Sequence, residues 1–253
     1  MDGFPDIGVS TSAYAERLLP AALERIAALA PAAEIRSFGL HTLLSTRNRA
    51  EALSWQLTYT VHGPFGSTGI WDLDDGERLK ALDEHRRHLE ASAEIGALKY
   101  VVHPDWHPEV TPRDPAVVRQ LGRSFDTLRS WSDELGVEVV VENMPGTGFS
   151  HFTHPGDLDL RGLGLILDVG HASITGCLPE WLEHPGAPLR HVHLHDNHGR
   201  GDDDDPHMAV GCGVVDVPAV LAAARRAGAS VVLEHSTDDD VCKSFAHLRA
   251  LDL

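Results

Sequence analysis

Short runs of β-branched and apolar residues alternate with longer amphipathic stretches along the whole chain. The runs are DIGVS (6–10), AEIRSF (33–38), QLTYTVH (56–62), LKYVVH (98–103), VEVVVE (137–142), LGLILD (163–168), RHVHLH (190–195) and SVVLE (230–234). Such near-continuous apolar character is what strands covered on both faces require. Between them, the helical period predicts helices over 13–30, 75–95, 113–135, 217–227 and 239–251. Ser12, Asp114 and Asp216 are the expected N-caps, while Gly96, Gly136 and Gly228 are the expected stops, each just ahead of a strand. Eight strands with mostly helical crossovers predict an α/β protein, a (β/α)8 TIM barrel forming a single domain over residues 1–253. The competitor is an open doubly wound sheet. Against it, GTGFSH (146–151) fails the last glycine of the dinucleotide fingerprint and follows the fifth strand rather than the first.

Composition narrows the classes. With 42% hydrophobic and 23% charged residues the chain can fill a core. The net charge of −17, with lysine only at 80, 99 and 243, argues against a surface that grips nucleic acid. Cys177, Cys212 and Cys242 are far apart and include no CxxC, so no disulfide framework is expected. The start MDGFPDIGVS lacks the basic and apolar regions of a signal peptide, and no window approaches 18 apolar residues. A soluble, cytoplasmic protein with no membrane partner is the expectation. The 17 scattered histidines call for an explanation.

Candidate chemistry gathers at strand ends. His62, His103, Glu142, Asp168 and Glu234 close the third, fourth, fifth, sixth and eighth runs, and His193 lies near the end of the seventh. The C-terminal rim of a TIM barrel carries the chemistry. Any one of these residues alone reads as a capped strand end. Together, carboxylates pointing into one mouth would be costly without a cation. His171 follows Asp168 by three residues, and Asp205 and His207 form an Asp-x-His pair. Asp205 ends a run of four aspartates that alone reads as a solvated loop. With His207 and AVGCG (209–213), it reads as a loop folded over the site.

HGPF (62–65), VVHP (101–104), VVENMPG (140–146), LDVGHA (167–172), HLHD (193–196), DPHMAVGCG (205–213) and VLEH (232–235) occur in the order of a known family. In these segments the chain resembles the xylose isomerase-like TIM-barrel superfamily, which includes endonuclease IV and the sugar and sugar-phosphate isomerases and epimerases. The resemblance implies a first metal site of His62, His103 and Glu142. It implies a second of Glu142, Asp168, His193 and Glu234, and a third of His171, Asp205 and His207. His195 shares the strand face of His193, so the choice between them rests on the resemblance. The second set is hard and suits manganese, magnesium or zinc, and the other two suit zinc. One to three divalent ions per chain are expected.

Two reactions share these ligands. The first is isomerisation or epimerisation of a sugar, sugar phosphate or related polyol through an enediolate. Glu142 and Glu234 would be the proton-transferring pair, and His171, His195 and Arg47 would contact the substrate. Dehydration of a polyol acid shares the early steps. The second is an endonuclease IV-like trinuclear-zinc phosphoesterase. The −17 charge, Phe65 where that pattern has tyrosine, and HLHDNHG in place of HLNDSK weigh against it, and Arg47 and Arg49 are the only nearby candidates for phosphate contacts. Lys99 as a Schiff-base lysine and Cys212 as a nucleophile rank lower, since Lys99 sits at the wrong end of its strand.

Overall fold

The computed structural model describes residues 7–64, 69–104, 114–146, 150–201 and 205–251. Phe65, residues 147–149 of the glycine-bearing segment and residues 202–204 of the aspartate run lie outside them. Along the chain come β1 (Ile7–Ser10), α1 (Leu19–Ala27), β2 (Ala32–Arg36), α2 (Thr46–Ala52), β3 (Thr58–His62), α3 (Asp75–Glu94), β4 (Lys99–Val102) and α4 (Pro115–Leu135). Then follow β5 (Glu138–Glu142), β6 (Gly164–Asp168), α5 (Val169–Thr175), α6 (Leu178–Glu183), β7 (Leu189–Leu194), α7 (Val217–Ala227), β8 (Ser230–Leu233) and α8 (Asp238–Ala250). All neighbouring strands pair in parallel, and β8 returns to β1 to close the barrel. The chain is therefore a (β/α)8 TIM barrel.

Caps and breakers set the element ends. Asp114 accepts from the Ala116 amide at 2.8 Å and Asp216 from Ala219 at 3.0 Å, as N-caps do. Gly136 and Gly228 adopt φ of 69° and 65°, the left-handed conformation that ends α4 and α7 at little steric cost. Ser12 does not cap a long helix. It lies in a 3-10 turn, Thr11–Tyr14, and its hydroxyl donates to the His235 carbonyl at 3.0 Å. The α-helix begins only at Leu19, because Pro20 is tolerated only in a first turn. Among the described residues no helix separates β5 from β6, whereas α5 and α6 both follow β6.

Period-two alternation gives each strand an outer and an inner face. Outer residues such as Tyr100 and Leu165 pack with Phe125, Leu128 and Trp181 of the helical layer in one continuous core. Each large apolar side chain so buried contributes about 1.5–3 kcal/mol. On the inner face Val101, Val140 and Ile166 form a separate apolar plug. The polar residues that follow in β5 and β6, Glu142 and Asp168, stand one step above it, at the C-terminal mouth.

Candidate active site

The barrel's register brings the strand ends together. Arg36 pairs with His62 across β2 and β3, and Asp168 pairs with His193 across β6 and β7. Glu142 closes β5, while His103 and Glu234 lie one residue beyond β4 and β8. His193 Nδ1 lies 2.9 Å from Glu234 Oε2, 3.4 Å from Glu142 Oε1 and 3.7 Å from Asp168 Oδ2. Donors held about 2.0–2.2 Å from one ion stand roughly 3.0–3.5 Å from each other, so this spacing fits a shared metal. Beside it, Glu142 Oε2 lies 3.0 Å from His103 Nε2 and 3.4 Å from His62 Nε2.

Hydrogen bonds to groups that can only accept determine which ring nitrogen carries the proton. His62 Nδ1 donates to the Gly63 carbonyl at 2.9 Å, His171 Nδ1 to Asn143 at 2.8 Å, and His207 Nδ1 to Glu234 at 2.9 Å. Each bond leaves Nε2 as a lone pair toward the cluster, the arrangement that orients metal-binding imidazoles. His195 Nε2 donates to both oxygens of Asp168 at 3.1 Å, which turns its Nδ1 toward Asp205 Oδ1 at 3.5 Å. Glu142 Oε2, His193 Nδ1, His195 Nδ1 and Asp205 Oδ2 are buried polar atoms with no hydrogen-bond partner. Glu142 and His193 belong to one group of closely spaced donors, and His195 and Asp205 to another. A cation within each group would satisfy these atoms, so the residues fit divalent metal sites.

Electrostatics agree. Burial alone would raise the Glu142 carboxyl, but the imidazoles of His103 and His193 hold it well below the usual carboxylate range. Asp168 is likewise pulled down, against its burial, by His171 and His195. Burial opposes charge on His193, yet Glu234, Glu34 and Glu142 lift its pKa well above the ordinary value. His195, against the same burial, is raised to about 9 by Asp168 and Asp205. The carboxylate cage demands positive charge at its centre. His103 goes the other way: burial lowers it, which keeps its ring neutral and available as a ligand.

The polar loops are held rather than draped. Asn143 Oδ1 accepts from the Asp168 amide at 2.7 Å and its Nδ2 donates to the Asp168 carbonyl at 3.0 Å, clamping the end of β6. Asp168 also caps α5 by accepting from the His171 amide at 2.8 Å. Asp196, the last residue of HLHD, accepts from the amides of Gly211, Gly213 and Val215 and pairs with Met208 in a two-residue bridge. That fixes the loop carrying Asp205 and His207. His207 takes a φ of 47° and its ring stacks on His195 at 3.9 Å.

A profile described as the xylose isomerase-like TIM barrel matches residues 31–251. The chain belongs to that family. Over 245 residues it is 27% identical to the uncharacterized protein MJ1614 of Methanocaldococcus jannaschii, covering 93% of this chain and 96% of that one. A solved D-tagatose 3-epimerase-like protein superposes with a TM-score of 0.84 at 25% identity, covering 97% and 96% of the two chains. The TTHB071 protein from Thermus thermophilus, soaked with ZnCl2, gives 0.75 at 24% identity over 98% of both chains. A 3-keto-D-glucoside 4-epimerase from E. coli gives 0.74 at 20% identity, covering 97% and 99%.

Within this family fold the expected residues regroup in part. His62, His103 and Glu142 stand together, as do Glu142, Asp168, His193 and Glu234. Asp205 and His207 gather with His195, while His171 joins Asp168 and Asp205 instead. His195, expected at the substrate, is fully buried beneath His207, because its inward parity just past β7 carries it under the returning loop. Arg47 is exposed on α2. The arginine in the cavity wall is Arg36, together with Ser12, Met144, His235 and Ser236, none of which the sequence pattern marks as a site residue. The cavity, whose wall also includes His62, His103, Glu142 and Glu234, measures about 560 Å3. Lys99 opens β4, the end of the strand away from His103. Cys212 is exposed, and the cysteines are unpaired.

Proposed function

We propose that the protein is a divalent-metal-dependent isomerase or epimerase of a sugar, sugar phosphate or related polyol. The observation that carries this reading is the quartet Glu142, Asp168, His193 and Glu234, whose donor atoms lie within 4.8 Å of one another and of which Glu142 and Glu234 line an open cavity. A divalent ion held by these four residues would polarise a carbonyl and its neighbouring hydroxyl, acidify the carbon between them, and stabilise an enediolate. Glu142 on β5 and Glu234 past β8 approach from different sides of the barrel. Both are ionised at neutral pH, Glu234 with its pKa held at about 2 by His193 in spite of burial, so each can accept a proton without first losing one. One removes a proton from the substrate carbon and the other returns it. Arg36, Ser12 and Ser236 occupy the sector of the cavity near β1, β2 and β8 and suit the distal hydroxyls or an anionic group of the substrate.

The epimerase names among the solved relatives support this reading, and the zinc-soaked relative supports the metal. The adjoining donor groups at the mouth favour a second reading, a trinuclear-zinc phosphoesterase. The −17 charge disfavours it. Solvent deuterium wash-in, followed by NMR over ketoses, ketose phosphates and keto-inositols, separates the two. Exchange at the carbon beside the carbonyl, reduced about 10²–10⁴-fold in Glu142→Gln and Glu234→Gln, is expected. No exchange across the panel, with zinc-dependent nicking of an abasic duplex, would establish the esterase instead.

A further inference from the structure

Beneath the quartet, the barrel interior holds a carboxylate that the reaction does not use. Glu34, on β2, is fully buried. Its Oε1 lies 2.9 Å from His193 Nε2, and its Oε2 lies 3.1 Å from His191 Nε2 and accepts from the Thr60 hydroxyl at 3.2 Å. His191 Nδ1 in turn meets Ser230 Oγ at 2.7 Å. On the other side of the interior stand the apolar Val101, Val140 and Ile166. A charged carboxylate at such a place costs several kcal/mol unless its oxygens are fully engaged, so the engagement has a purpose to explain.

We propose that Glu34 is a positioning residue for the metal quartet, accepting the Nε2–H of His193 and so turning the bare Nδ1 of that ring toward Glu142, Asp168 and Glu234. The proposal rests on the reading of the quartet as a metal site. Glu34, His191 and His193 also lie close enough to hold an ion among themselves. The hydrogen bonds argue otherwise: both oxygens of Glu34 and both nitrogens of His191 have partners, and the partnerless nitrogen of His193 is Nδ1, on the far side of the ring. The three groups therefore form a support under the metal, which holds a ligand ring by its outer nitrogen. His191 and Thr60 keep the Glu34 carboxylate in the rotamer that faces His193.

Glu34→Gln is nearly isosteric and Glu34→Ala removes the acceptor. Zinc and manganese affinity, read by competition with a chromophoric chelator, is expected to fall roughly 10- to 100-fold in Glu34→Ala and less in Glu34→Gln. In zinc-loaded protein labelled with 15N-histidine, the His193 Nε2 proton is expected as a slowly exchanging downfield resonance. That resonance should move upfield in Glu34→Gln. Affinities within twofold of wild type, together with an unmoved resonance, would reduce Glu34 to a structural group. If neither variant folds, the wild-type spectrum decides: a zinc-loaded His193 carrying its proton on Nδ1 overturns the proposal. Wild type that binds no ion while retaining the Nε2 proton toward Glu34 would contradict the metal reading and leave this hydrogen bond intact.

Discussion

Asn143 holds two of the proposed ligands in place. Its side chain clamps the backbone of Asp168 from both directions, and its carbonyl accepts from His171. Asn143→Ala leaves the Asp168 amide and carbonyl unpaired in a buried site, a loss of about 2–3 kcal/mol. Chemical denaturation should show that loss, with metal affinity falling alongside it; unchanged affinity would mean that Asp168 is held by β6 alone. Most of the proposed ligands are legible in the sequence because they stand at strand ends and carry ionisable side chains. Glu34 and Arg36 are not, since in AEIRSF they read as the polar half of an ordinary alternating strand. Only closure of the barrel turns that half inward. His195 lies one inward step beyond His193, and the returning loop buries it.

At the level of elements, the close approach of α5 to the end of β7 sets the mouth's shape. Gly170 lies in the first turn of α5, where a Cβ would collide with the ring of His195 and come within 2.8 Å of Asp205 Oδ2. His195 cannot yield, because Asp168 holds one nitrogen and His207 covers its face. Gly170→Ala should therefore cost about 1–3 kcal/mol and displace His195 and Asp205. The check is a thermal melt read beside a crystal structure of the variant, and a wild-type melting temperature would contradict it. The long elements α3, α4, α7 and α8, and the strands, stand within a residue or two of where periodicity predicts them. The short helices α2, α5 and α6 escape it, since six or seven residues span fewer than two turns and show no period. The late start of α1 is written in Pro20, which an interior helical position excludes.

Across the whole molecule, the buried histidines among the described residues include two populations. One lines the mouth; the other bridges buried polar groups as neutral rings, such as His85 to Tyr100 at 2.9 Å and His88 to Ser37 at 2.8 Å. Burial holds the pKa of these two down to about 3 and about 4. The unfolded chain takes up those protons near pH 6.5, so their contribution to stability is complete above that pH. It falls as the pH drops toward the folded values. His195, whose folded pKa is raised, contributes stability fully present below pH 6.5, so it does not oppose this acid limb. The melting temperature of metal-free protein should be roughly 5–10 °C lower at pH 5 than at pH 7, and less so in His88→Asn. Equal melting temperatures would contradict the assignment.

If six strand ends build a divalent-metal centre, as proposed, the purified protein should carry the ion. The most direct test is metal content by inductively coupled plasma mass spectrometry, comparing wild type with Glu142→Gln and Asp168→Asn. The expected result is one tightly held zinc or manganese per wild-type chain, lost in both folded variants. Wild-type protein that retains no divalent ion when equilibrated with either metal would contradict the account.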